Sequence, residues 1–172
     1  MSQITILQAA ETPPKRLSKV FMLDTDNNIQ SIGYDRCKHF KIKLREVSNI
    51  EDLSNLLLKL ENRSDLMVIR GAPRDDVDQS KTVFRQTYDP RKGAANQPVQ
   101  EKPFEDTPIS WVMIDVDKQQ LPSEVDLIKD TDMAIGHIVA QLPKKFQGAS
   151  YHWQLSSSAG IYNTDHISVH LW

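Results

Sequence analysis

With one cysteine among its 172 residues, the chain has no route to an internal disulfide and no cysteine-based metal spacing. That usage fits a reducing compartment and leaves Cys37 a plain packing or surface thiol. Long apolar runs are missing as well: none approaches the roughly 18 residues of a membrane span, so no membrane role is expected. The opening MSQITILQAAETPPKR lacks the basic start, apolar block and small-residue cleavage site of a secretory signal, and a cytoplasmic location is the expectation. Nor is there an excess of one charge. A formal net charge of -2 argues against a protein whose whole surface is a nucleic-acid footprint.

What is present is the make-up of an ordinary globular chain, 39% hydrophobic and 26% charged, of a length that suits one domain with a sizeable core. The charges are unevenly spread. Residues 1–94 carry 16 Lys/Arg against 13 Asp/Glu, and residues 95–172 carry 5 against 10. This weakly favours a basic contact surface in the first half and an acidic, cation-seeking site in the second.

Local patterns divide the chain. Residues 1–17, with Pro13 and Pro14 and no periodicity, read as a flexible lead-in. KVFMLD (19–24) and NIQSIGY (28–34) predict two strands joined by the turn cluster Asp24 to Asn28. In KHFKIKLRE, Phe40, Ile42 and Leu44 alternate with His39, Lys41, Lys43 and Arg45, the period that gives a strand one apolar and one basic face. After Ser48, the leucines at 53, 56, 57 and 60 with Ile50 predict a helix with acids in its first turn. LMVIRGAP (66–73) predicts a short strand that gives way to a loop at Arg70, and 74–108, holding Pro90, Pro98, Pro103 and Pro108, a long connection. SWVMIDVD (110–117) is apolar on both faces and predicts a central strand. Ser123 opens an S-x-x-D pattern before an expected helix of about twenty residues ending at Pro143. YHWQLSS (151–157) and HISVHLW (166–172) predict two last strands.

The chemistry-bearing residues fall in these late strands. Asp115 and Asp117 are two apart on one strand, so they project from one face with neighbouring carboxylates. Two unpaired acids repel there, and Mg²⁺ or Mn²⁺ between them relieves that while keeping positions open for phosphate oxygens. A purely structural arrangement competes, in which Asp117 caps the turn before Lys118 and Asp115 pairs with a base. In HISVHLW, Ile167, Val169 and Leu171 face a core while His166, Ser168, His170 and Trp172 face away. A hydroxyl and an imidazole side by side suit nucleotide phosphates, His170 donating a hydrogen bond to an oxygen that gains charge. Metal ligation by His166 and His170 is open as well.

The order hhhDhD, helix, Ser-rich strand end and S-x-H strand resembles the first two motifs of the archaeo-eukaryotic primase superfamily, in the primase-polymerases of plasmids, phages and integrated elements. WVMIDVD is similar to the first motif through Asp115 and Asp117, and ISVHLW to the second through Ser168 and His170. SSSAGI (156–161), with Ser158, looks like the segment that leads into that strand, and VIRGAP (68–73), with Arg70, like a short upstream segment. The resemblance covers roughly residues 66–172. It implies an α+β fold: an RRM-like antiparallel palm sheet over 95–172, preceded by an α/β module over 18–94 with its long loop from 74. It implies template-dependent nucleotidyl transfer, with nucleoside triphosphates, a single-stranded DNA template, Mg²⁺ or Mn²⁺, and a replicative helicase module in the parent protein. Two metal ions held by three acids would activate a primer hydroxyl and steady the pyrophosphate. The third acid lies on a later strand in that family, so the expectation is an incomplete catalytic domain that polymerises poorly alone unless Asp165 or another acid substitutes.

Lys41, Lys43 and Arg45, with His39, form a row for salt-dependent phosphate contact, or simply protect a sheet edge by charge. Arg70, Arg85 and Arg91 are candidates to grip a triphosphate or template backbone. Trp111, Trp153 and Trp172 offer rings for base stacking or core packing. Two other functions fit part of the pattern: a nucleotide-sugar glycosyltransferase with D-x-D on its cation, and a non-catalytic RRM-like domain that binds single strands or a replication partner.

Overall fold

The computed structural model describes residues 2–84 and 103–172. Along the chain run β1 (Ser2–Ala9), β2 (Val20–Leu23), β3 (Ile29–Ile32), β4 (His39–Val47), α1 (Ile50–Leu60), β5 (Leu66–Ile69), β6 (Ala72–Pro73), β7 (Val83–Phe84) and β8 (Phe104–Glu105). β9 (Ile114–Gln120), α2 (Thr131–Gln141), α3 (Lys144–Gln147), β10 (Trp153–Leu155) and β11 (His166–Leu171) follow. Every strand pairing among them is antiparallel, so the fold is α+β with few helices. Two compact units share the chain, Met1–Ser18 with Gly33–Ser48 and Asn55–Ile109, and Lys19–Ile32 with Asn49–Ser54 and Ser110–Trp172.

The first unit holds a sheet in the order β5-β1-β4-β7. Its strand β1 corrects the expectation of a flexible lead-in over 1–17. Ile4, Thr5, Ile6 and Leu7 are buried in succession, so the strand is covered on both sides and shows no apolar and solvent faces to read. Thr5 fits there because its hydroxyl donates to the Gly71 carbonyl at 2.7 Å, which removes the cost of an unpaired buried group. Gly71 itself has φ +102, and a Cβ on it would meet the Glu105 carbonyl oxygen at 2.6 Å, so only glycine fits this turn. Leu7, Phe40 and Val83 form a core with Ile42, Met67 and Phe104 packed on it. The alternation in β4 is as expected at Phe40, buried, and Lys41, exposed.

In the second unit β2 and β3 make the expected hairpin. Asp24 closes its turn, accepting hydrogen bonds from the backbone N–H groups of Asp26 and Asn28 and from the Gln30 amide. The helix expected after Ser48 is α1, of which the part up to Ser54 belongs to this unit; it is capped by Asn49, whose side-chain oxygen accepts the Asp52 N–H at 2.8 Å.

The same unit contains the sheet β10-β11-β9. Among the described residues β9 is therefore an edge strand, a correction to its expected central place, and it starts at Ile114 rather than 110. Val112 and Met113, both more than two-fifths exposed, explain the error: apolar residues outside the sheet imitated a strand buried on both faces. α2 is also shorter than expected. The S-x-x-D at Ser123 does not open a helix, since α2 begins at Thr131; the Asp126 carboxylate accepts the N–H groups of Ile128 and Lys129 and the Thr164 hydroxyl, tying the β9–α2 connection to the start of β11. These donors, the Lys129 N–H first, hold its pKa below the ordinary carboxylate value. Ala134, Ile135 and Ile138 of α2 share one core with Ile167, Val169 and Leu171 of β11.

Candidate functional site

Because Ile167, Val169 and Leu171 turn into that core, alternation sends His166, Ser168 and His170 to the opposite face of β11. Antiparallel register then decides which residues of the neighbouring strands stand beside them. His170 is opposite Asp115 on one side and Gln154 on the other, so Gln154, His170 and Asp115 form one row across the three strands, with side chains on a common face. The His170 Nε2 lies 3.4 Å from Asp115 Oδ1, an ion pair when the imidazole is protonated, and both side chains keep solvent access, 36% and 54%. Asp117 is exposed and two residues on, on the side of Asp115 because Ile114 and Val116 pack on the core.

The next row is irregular. Val169 pairs with Val116 but Ile167 pairs with Gln119, so Asp117 and Lys118 together stand opposite Ser168. This is a β-bulge. Lys118 sits in the left-handed region with φ 49, and its N–H donates to the Ser168 hydroxyl oxygen at 2.9 Å. Ser168 is only 7% exposed. Across from it, Ser156 continues β10 by donating its N–H to the Ser168 carbonyl, and its hydroxyl lies 3.3 Å from that of Ser158. In the turn beyond, Gly160 has φ +69, a left-handed conformation that favours glycine in the Ser/Gly segment.

Thus Asp115, Asp117 and His170 share one accessible face, while Ser168 is a buried hydroxyl engaged with the backbone. His166 bonds instead to the adjacent Asp165, Nδ1 to Oδ1 2.8 Å, at the far end of the strand, opposite Gln120. Arg70 belongs to the first unit, where its guanidinium makes a paired, solvent-exposed contact with Asp106. Lys41, Lys43 and Arg45 lie where, among the described residues, β4 is paired with β1 alone, since β7 is paired with His39 and Phe40. That placement accords with charge protecting an open edge. Arg85 and Arg91 lie outside the described residues. Trp153 packs on the core, and Trp111 lies against Trp172 with ring centroids 5.8 Å apart.

Sequence reasoning did not single out Gln154 or Lys118 as parts of this face. Gln154 is polar within an apolar strand, which is a signal, but its place beside His170 depends on register. Lys118 carries none, because an inserted residue cannot be read from one strand. As to metal, no group of three or more His, Cys, Asp or Glu among the described residues is arranged to hold an ion. Two carboxylates on one open face fit the more modest mode in which Mg²⁺ is held by one or two carboxylates, its waters and substrate phosphates. Comparison with protein-family models, curated proteins and solved structures finds no match for the chain.

Proposed function

We propose that this chain carries part of a nucleotidyl-transfer centre of the primase-polymerase kind, with β10, β11 and β9 as strands of an RRM-like palm sheet. The observation that carries the reading is the 3.4 Å approach of His170 Nε2 to Asp115 Oδ1, with Asp117 on the same accessible face. Asp115 and Asp117 are the ligands for Mg²⁺ or Mn²⁺, which when bound neutralises phosphate charge. His170 donates a hydrogen bond to a phosphate oxygen of a nucleoside triphosphate and, as imidazolium, adds a positive charge beside it. Gln154, on the other flank of His170, is placed to bond the same ligand through its carboxamide. A single-stranded DNA template is the expected partner, carried over from the motif resemblance. A third acid is not among the residues of this face, so the reading assigns binding to the described residues and does not assign them complete polymerisation.

The test is a Mn²⁺ titration of the whole chain with and without a deoxynucleoside triphosphate. The wild type binds Mn²⁺ more tightly with the nucleotide, and Asp115→Asn and Asp117→Asn each weaken binding at least about tenfold, the scale of one lost charged ligand. Unaltered Mn²⁺ affinity in both variants overturns the reading. Binding of a nucleotide sugar in preference to the triphosphate moves the same D-x-D to a glycosyltransferase. Single-stranded DNA binding with no detectable metal moves the sheet to a non-catalytic module.

A further inference from the structure

We infer that Ser168 is a positioning residue that acts through the Lys118 backbone, holding the bulge that presents Asp117 beside Asp115. The inference rests on the proposed metal role of those two acids, but its physical basis is separate. In a regular antiparallel pair each β9 residue would oppose one β11 residue, and alternation would carry Lys118 onto the face of Ile167, the core face. Instead two β9 residues oppose Ser168. The extra residue takes up the left-handed conformation at Lys118, φ 49, which is unfavourable for a side chain that is neither glycine nor able to bond its own turn. Such strain persists only where surrounding structure over-determines it.

The Ser168 hydroxyl supplies that determination. Displaced from the ordinary ladder, the Lys118 N–H finds its acceptor in Ser168 Oγ at 2.9 Å, and Ser168 is the buried polar side chain of this sheet, 7% exposed. Its main chain is fixed on the other side by the Ser156 N–H. A bulge both bends its strand and re-aims the side chains next to it, and the side chain immediately before Lys118 is Asp117. Serine is suited to this because its oxygen can accept from a backbone donor that has slipped out of register. Alanine has no acceptor. Threonine retains one.

The experiment measures two quantities on the full chain: Mn²⁺ affinity and hydrogen exchange of the Lys118 amide by NMR. Ser168→Ala is expected to weaken Mn²⁺ about tenfold, the scale of one hydrogen bond, and to deprotect the Lys118 amide. Ser168→Thr retains both. Adding Lys118→Gly to Ser168→Ala restores Mn²⁺ affinity to within about twofold, because glycine adopts positive φ without the hydroxyl's help. A serine that merely fills space would lower thermal stability, leave Mn²⁺ affinity unchanged and gain nothing from glycine at 118. Unchanged affinity in Ser168→Ala, or no recovery in the double variant, overturns the inference. If the wild type binds no Mn²⁺, the nucleotidyl-transfer reading fails. The Lys118 amide still decides the matter of the bulge: protection lost in Ser168→Ala and kept in Ser168→Thr upholds the latch, and protection unchanged in both refutes it.

Discussion

The sheet β5-β1-β4-β7 buries four successive residues of β1, from Ile4 to Leu7, whereas the sheet β10-β11-β9 turns Ile167, Val169 and Leu171 of β11 into a core and leaves His166 and His170 with solvent access on the other face, Ser168 being buried between them. In β1 both faces are occupied by packing, and its one buried hydroxyl is satisfied by a carbonyl. In β11 the second face carries His170 beside Asp115 and a bulge latched by Ser168. A strand buried on both sides has no side chains to spare for ligands. Chemistry concentrates where a sheet is covered once, because there the scaffold is rigid and the groups remain hydrated enough to exchange water for substrate.

The largest effects should come from the strand with no free face. Leu7 is fully buried, so Leu7→Ala is expected to cost about 2–5 kcal/mol in urea or thermal unfolding, with no direct effect on the face of β11. Asp115→Asn should do the reverse, changing stability by less than about 0.5 kcal/mol as an exposed substitution while weakening Mn²⁺ binding at least about tenfold. Equal loss of stability from both would break the contrast between the two sheets.

A smaller effect tests the polar edge of the first sheet by pH. The Arg63 guanidinium, with help from the Gln8 amide, holds the Asp65 carboxyl at about 2, below its ordinary 3.8. The folded value is the lower one, so the stabilisation is complete above about pH 4 and is lost as pH falls through about 2. Because Arg63 is half exposed, solvent screening limits the contribution to about 0.5–1 kcal/mol. Asp65→Asn should therefore lower the urea midpoint at pH 7 and converge with the wild type near pH 2. The smallest change is expected from Arg70→Ala: its pair with Asp106 is about two-thirds exposed on both sides, so stability should move by less than about 0.5 kcal/mol. An appreciable loss of triphosphate affinity in that variant would give Arg70 a ligand role beyond the ion pair.

Much of the fold was legible where one periodicity dominated. The leucine spacing of α1, the Asp24 turn and the inward set Ile167, Val169 and Leu171 follow from local pattern, since side-chain direction in a helix or strand repeats at fixed intervals. β1 was not legible, because a segment covered on both faces does not alternate and its buried run, Ile4 to Leu7, is short and interrupted by a threonine. The edge position of β9 was hidden by Val112 and Met113, and Ser123 with Asp126 read as the start of a helix because S-x-x-D is a capping spacing, whereas the Asp126 carboxylate accepts backbone donors in a turn that also takes the Thr164 hydroxyl.

By itself the sequence determined that Asp115 and Asp117 share a side of one strand and that His170 and Ser168 share a side of another, through the period of two. Only the tertiary structure decided that His170 stands beside Asp115, that Gln154 completes the row, and that Ser168 turns to the Lys118 N–H. The reason is that register and bulges are properties of paired strands, set by hydrogen bonds between segments some fifty residues apart, and no local pattern carries that information.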